Sequence, residues 1–327
     1  MKLSELFRWR KKKPAQPKAA PKPAQASRAK AAVSRKPVKS NAEQSLQAIK
    51  PINVKLNIGQ YRLEPFTEGG VCVVMKGIPK EAGKPKLAVK LVREQWLNHA
   101  AVRRQFSNES QIVKELHHPF LPKYLSRGLI DGKAYYAYEF IEGVPLINLS
   151  QEKDRFPPEL IKDIATNIVK QLLEQLVHVQ ERLKPVAHGD ISSENILIDS
   201  KQRIYLVDFG CSHFVKQAHK DSYQWLAKPS FISPEQAKGE IWDHRSDLYQ
   251  AGILFYELVK NRRWNVGKSK REKVLFAASK EKPSDTFLED IVGIEISTVV
   301  AKLLDPNPRT RHQTAKEALA DFDAVTQ

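Results

Sequence analysis

Three polar residues, Asp190, Asn195 and Asp208, stand at spacings from which divalent-metal chemistry could be built. Asn195 and Asp208 bracket two short apolar runs, Ile196–Ile198 and Ile204–Val207, with the polar stretch Asp199–Arg203 between them. That pattern predicts a hairpin. If Ile198 faces Tyr205, Asn195 faces Asp208 at the open end, with Cβ atoms about 5 Å apart. A carboxylate and an amide oxygen at that separation suit Mg²⁺, a hard cation that takes oxygen ligands. Asp190, in His188-Gly189-Asp190 just before the hairpin, brings a third polar group to the same end.

The elements that must carry these groups fall into two textures. From about Leu56 to Gly143 the apolar runs are short and punctuated by Gly and Pro: Tyr61–Phe66, Val71–Lys76, Leu87–Val92 and Ala134–Ile141. They read as strands. One helical segment, Ala100–Leu116, interrupts them. From Pro157 onward Leu160, Ile161, Ile164, Ile168, Leu172, Leu176 and Val179 keep helical spacing over about six turns. Further helices are expected at Asp247–Lys260, Ile294–Leu304 and Thr314–Ala324. A small strand-rich half thus precedes a larger helical half, with a cleft between them.

His188-Gly189-Asp190-Ile191-Ser192-Ser193-Glu194-Asn195 resembles the catalytic loop of the protein kinases, and Asp208-Phe209-Gly210 resembles the metal-binding motif that follows it. The rest agrees in order. Leu87-Ala88-Val89-Lys90 resembles the strand that carries the kinase lysine, and period-2 alternation puts Ala88 and Lys90 on one face. Glu109 lies in the following helix. Ser233-Pro234-Glu235 stands where the family has Ala-Pro-Glu, Asp247 where it has an acid bracing the catalytic loop, and Arg311, in preference to Arg309, where it has a late arginine pairing with Glu235. The bacterial members of the Ser/Thr group are the nearest in flavour. The resemblance implies an α+β, two-lobed protein-kinase-like fold: a small antiparallel β-sheet lobe with one helix over about 56–142, and a larger, mainly helical lobe over about 143–327. It further implies ATP and Mg²⁺ as cofactors and Ser/Thr hydroxyls of protein substrates as acceptors. Asp190 would be the catalytic base. Asp208 and Asn195 would hold the metal. Lys90, held by Glu109, would grip the phosphates. Thr67, Gly69, Gly70, Val74, Ala88, Glu139 and Ile141 would surround the nucleotide, with Tyr138 just before the hinge.

Several positions depart from the family pattern. In Thr67-Glu68-Gly69-Gly70-Val71-Cys72-Val73-Val74 the first and third glycines of the phosphate loop are Thr67 and Cys72, so the loop should be stiffer and its grip looser. Gly189 replaces the arginine that gathers a phosphate on the activation segment, and that segment, about Cys211–Ser233, has no threonine. No phosphate switch is expected there. Ser192 stands where Ser/Thr kinases have a lysine, and Lys228 where they have a threonine. The two look like an exchanged pair, with Lys228 supplying the charge missing at Ser192. A pseudokinase scaffold and a small-molecule kinase are the competing readings; retention of Lys90, Asp190, Asn195 and Asp208 favours transfer activity.

Composition bounds the rest. Two cysteines, Cys72 and Cys211, are too few for a disulfide framework or a zinc site. No stretch approaches the roughly 18 apolar residues that span a membrane, and no apolar leader opens the chain, so a cytoplasmic protein is expected. The net charge of +17 is concentrated: residues 1–40 hold 13 Lys/Arg and a single acid, Glu5. A disordered Lys/Ala/Pro-rich tail over 1–55 is expected. Its charge suits acidic surfaces, whether an anionic membrane at its inner face, an acidic protein or nucleic acid.

Overall fold

The computed structural model describes residues 57–150, 158–217 and 227–326; the expected tail lies outside them. The first lobe is an antiparallel sheet of β1 (Asn57–Ile58), β2 (Tyr61–Glu68), β3 (Cys72–Pro79), β4 (Leu87–Val92), β5 (Tyr124–Ile130) and β6 (Lys133–Glu139), in the order β1-β2-β3-β4-β6-β5. Every residue of β4 is buried, Lys90 included. On β3, alternation buries Val73, Met75 and Gly77 on one face and leaves Cys72, Val74 and Lys76 half-buried on the other. Helix α1 (Ala100–Glu115) buries Val102, Phe106, Glu109 and Val113, one stripe at helical spacing. Glu109 therefore belongs to the face that packs inward. Strand β5 escaped the sequence reading because it is the sheet edge, with few buried positions to betray it.

The second lobe contains α2 (Ile147–Ser150), α3 (Pro158–Gln180), α4 (Pro234–Ala237), α5 (His244–Lys260), α6 (Lys270–Ala278), α7 (Glu289–Val292), α8 (Ile294–Leu303) and α9 (Ala315–Val325). Small strands lie beside them: β7 (Val144–Pro145), β8 (Val186–Ala187), β9 (Ile196–Ile198), β10 (Ile204–Leu206) and β11 (His213–Phe214). Helix α5 is buried at every position from Ser246 to Val259 and packs on α3 and α8, so it is the axis of this lobe. It stops at Asn261, whose left-handed φ of 53° closes the last turn. Helix α6 was not expected, because only Ala277 of it is buried and no apolar stripe marks it. No helix among the described residues is long and apolar enough to cross a membrane.

The hairpin β9–β10 forms, but one residue out of the expected register. Ile198 pairs with Ile204, not Tyr205. The cause is Asp199: its carboxylate accepts from Lys201 N and Arg203 N, and Asp199 N donates to Arg203 O, so the loop shortens around Gln202 in the left-handed region. Asn195 therefore faces Val207, whose N–H donates to Asn195 O at 2.9 Å. Asp208 stands beyond the ladder, where its own φ of +64° turns the chain away.

Candidate active site

Lys90 is the junction of the cleft. Its ammonium donates to Glu109 Oε1 at 2.6 Å and to Asp208 Oδ1 at 2.7 Å. Tyr136, on the neighbouring strand, donates to the same Glu109 oxygen at 2.7 Å. Burial disfavours the ammonium, but the Asp208 and Glu109 carboxylates outweigh it and raise Lys90 well above its ordinary value. Burial lifts Glu109, against the pull of Lys90. Burial opposes ionisation at Asp208 too, but the charge and hydrogen bond of the Lys90 ammonium outweigh it and hold the carboxyl well below the usual carboxylate range. Asp208 Oδ2 accepts no hydrogen bond among the described residues.

Asp190, 6% exposed, is held on three sides. Asn195 Nδ2 donates to its Oδ2 at 2.7 Å and to its backbone carbonyl at 2.8 Å. Lys228 N donates to Oδ1 at 2.9 Å, and Lys228 Nζ to Oδ2 at 3.0 Å. The same ammonium donates to Ser192 Oγ at 2.9 Å. Lys228 thus lies between Asp190 and Ser192, in direct contact with the residue it was paired with as an exchange. Burial raises the Asp190 carboxyl, opposed by Lys228. The ammonium of Lys228, disfavoured by burial, is in turn raised by Asp190 and Asp208. With its amide nitrogen committed to Asp190, Asn195 is left with its carbonyl oxygen free to ligate.

The loop bearing Asp190 hangs from α5. Asp247 accepts from His188 N at 2.9 Å and Gly189 N at 2.7 Å. Gln250 accepts from Ile191 N, and Gln250 and Gln236 both donate to Gly189 O. Burial pushes Asp247 up to about 7, against two N–H donations that favour the anion. His188 is fully buried; its Nδ1 accepts from Asp190 N, which leaves Nε2–H to donate to Val207 O at 3.3 Å. Burial depresses His188 to about 4, so the ring is neutral. At Gly189 φ is +78°, and a Cβ there would collide with the indole of Trp242. The Trp242 ring meets His213 edge-on at 4.2 Å. The side-chain space beside the loop is therefore filled. Below it, Arg311 pairs with Glu235 through both oxygens, at 2.8 and 3.1 Å, while Arg309 does not reach it.

The protein kinase domain model matches residues 62–322. The chain belongs to the protein kinase domain family. Its kinase domain is 28% identical over 267 residues to a probable serine/threonine-protein kinase of Clostridium perfringens, covering 80% of this chain and 38% of that protein. It is 28% identical over 246 residues to the serine/threonine-protein kinase PrkC of Bacillus subtilis, covering 73% and 37%. To the serine/threonine-protein kinase PknB of Mycobacterium leprae it is 25% identical over 246 residues, covering 73% and 38%. The chain spans less than two-fifths of the length of these relatives.

Where the kinase domain departs from the family's glycine loop, the loop is tied down from outside. Gly69 N donates to Cys72 O at 2.9 Å, closing the turn. Arg93, 4% exposed, donates from Nε to Gly69 O at 2.7 Å and from Nη2 to Glu68 Oε2 at 2.8 Å. Trp96 Nε1 donates to Gly70 O at 3.0 Å. Thr67 and Val74 face each other on β2 and β3, Val74 faces Lys90, and Ala88 faces Tyr138. Burial pushes the Cys72 thiol up to about 12, so it is a packing residue and not a reactive thiolate. Ser212, in the activation segment, is buried and donates to His188 O at 3.1 Å, so its hydroxyl is not on offer to a kinase. Residues 218–226 of that segment lie outside the described residues. Glu139 and Ile141 are not drawn to the charged cluster; they line a cavity of about 840 Å³ with His118, Arg203 and Tyr205. Sequence reasoning missed Tyr136, Arg93, Trp96 and Trp242. Tyr136 shares a strand face with Tyr138, so alternation could have found it; nothing in the spacing marks the other three.

Proposed function

We propose that this domain transfers the γ-phosphoryl group of ATP to Ser/Thr hydroxyls of protein substrates. The observation that carries it is the single ammonium of Lys90 joining Glu109 to Asp208, which brings together a helix, a central strand and the loop beyond the hairpin. Phosphoryl transfer needs chiefly positioning and charge neutralisation. Lys90 would neutralise phosphate oxygens. Asp208 Oδ2 and Asn195 Oδ1, neither of which accepts a hydrogen bond among the described residues, fit Mg²⁺, which when bound would neutralise phosphate charge and orient the transferring group. Asp190 would accept the proton as the acceptor oxygen bonds to phosphorus and the bond to ADP breaks; burial, by raising its carboxyl, makes it a stronger base. Lys228, reaching Asp190 and Ser192 together, would place its charge beside the moving phosphoryl group. Thr67, Gly69, Gly70, Val74, Ala88, Glu139 and Ile141 remain the nucleotide surround implied by the resemblance.

A scaffold without transfer would need none of these alignments, and a small-molecule kinase would need neither the Glu235–Arg311 pair nor the Asp247 brace. Phosphate transfer from ³²P-labelled ATP to a generic protein substrate, compared with Asp190→Asn, tests the proposal. Equal incorporation by the two proteins would sink it. On the same reading the domain works in the cytoplasm, and the basic residues 1–40 meet an anionic membrane, an acidic protein or nucleic acid. Loss of salt-sensitive binding on deleting those residues, with transfer to a soluble peptide retained, is the expected result.

A further inference from the structure

Residues 260–282 carry nine Lys/Arg against two acids. They run from the end of α5 through α6, and α6 packs on α4. Three side chains fix this stretch to the segment Ala227–Ile232, which carries Lys228. Asn265 Nδ2 donates to Pro229 O at 3.3 Å and to Ile232 O at 3.0 Å. Lys273 Nζ donates to Ser230 Oγ at 3.1 Å. The Arg263 guanidinium stands 5.2 Å from the centre of the Phe231 ring. A basic wall therefore borders the loop next to the catalytic aspartate.

The carboxylates that meet this wall are already engaged. Glu194 and Glu257 both pair with Arg263, at 3.1 and 2.6 Å. Glu272 is turned back onto the start of α6, accepting from Lys268 N at 2.8 Å and Ser269 Oγ at 3.2 Å. Asp190 is taken by Lys228. Lys268, Lys270 and Arg271, by contrast, are exposed and pair with no carboxylate among the described residues, and Lys273 holds only a hydroxyl. Lys270, Arg271 and Lys273 stand in the first turn of α6 and Lys268 just before its cap Ser269, where the helix dipole adds further positive potential.

We infer that the substrates of this domain are acidic beside the acceptor hydroxyl, with Asp or Glu side chains lying along Ala227–Phe231 and the start of α6. A basic peptide at the start of α6 meets like charge, since Glu272 and the carboxylates on Arg263 are already engaged and Glu281, the other acid of the stretch, follows the far end of the helix. The first 40 residues of the chain itself, with their 13 Lys/Arg, are disfavoured substrates on the same ground.

The inference rests on the protein kinase reading, and binding separates the two. Three fluorescein-labelled peptides share one central Ser and differ only in its flanks, which are Glu, Gln or Lys. Binding by fluorescence anisotropy and ³²P transfer are measured with the full chain and with Lys270→Glu/Arg271→Glu, whose exposed side chains bear on no packing. The Glu peptide should bind the wild type about tenfold more tightly than the Gln peptide, and high salt should erase most of the difference. The variant should lose that preference and favour the Lys peptide. Equal binding of the three peptides by the wild type, or an unchanged ranking in the variant, overturns the inference. If the variant loses the preference as expected but no peptide accepts phosphate, the acidic docking face stands and the kinase reading falls.

Discussion

Replacing Lys228 with Ala removes two bonds, at 3.0 Å to Asp190 Oδ2 and 2.9 Å to Ser192 Oγ, and leaves the backbone donation from residue 228 to Asp190 Oδ1 in place. The loop should therefore stay where it is, and the loss should fall on chemistry. One transition-state donor in a water-poor site is worth about 100-fold in kcat, or about 2.7 kcal/mol. A second consequence follows from charge. The Lys228 ammonium lowers the Asp190 carboxyl, so its removal raises it further. Asp190 must be deprotonated to accept the hydroxyl proton, hence the rising acid limb of kcat/KM moves to higher pH. Steady-state ³²P transfer to a peptide, measured across pH at saturating ATP, reads both effects. The exchange Ser192→Lys with Lys228→Thr should restore much of the rate. A near wild-type kcat in Lys228→Ala, with the acid limb unmoved, refutes the role assigned to that ammonium.

Asp208→Ala should abolish Mg²⁺-dependent transfer while leaving the thermal unfolding midpoint close to wild type, because half of that side chain is exposed; transfer at wild-type rate would remove it from the metal site. Arg93→Ala frees Gly69 O and unpairs Glu68, and should raise the KM for ATP about tenfold with a smaller change in kcat, Arg93→Lys recovering part of the loss; a fall in kcat at constant KM would mean that Arg93 acts elsewhere. His188 is held at about 4 when folded, below its ordinary value of 6.5, so the folded state takes up fewer protons. Its contribution to stability is complete above pH 6.5 and declines as pH falls toward about 4, at up to about 1.4 kcal/mol per pH unit. Denaturant unfolding should show a shallower acid decline in His188→Gln, and parallel curves for the two proteins would contradict the assignment.

The charged cluster around Lys90, Asp190 and Asp208 was legible because its members are chemically unusual residues at fixed offsets within short elements. Lys90 alternates with Ala88 on a strand that reads plainly from composition, and Glu109 falls on the buried stripe of α1 by spacing alone. The hairpin register was not legible. It turned on whether the Asp199 side chain would close the loop on itself, a local bond that no hydrophobic pattern records. The same limit hid the Arg93 and Trp96 latch, since two glycine-loop carbonyls gain their partners from residues more than 20 positions away. The Lys228–Ser192 pairing was reached from two substitutions that each looked like a loss, and the observed bond joins them.

The fit of Trp242 against Gly189 also constrains how this domain could change over generations. Arginine at position 189 would require a side chain where the indole already stands, at a backbone angle that penalises any Cβ. Arginine introduced at 189 alone should therefore destabilise the fold. Trp242 would have to shrink first, and that step alone opens a hole against His213 and the catalytic loop. The two positions are coupled: arginine at 189 calls for a smaller residue at 242, and that smaller residue alone loses packing, so each change by itself gives a poorer variant than the pair.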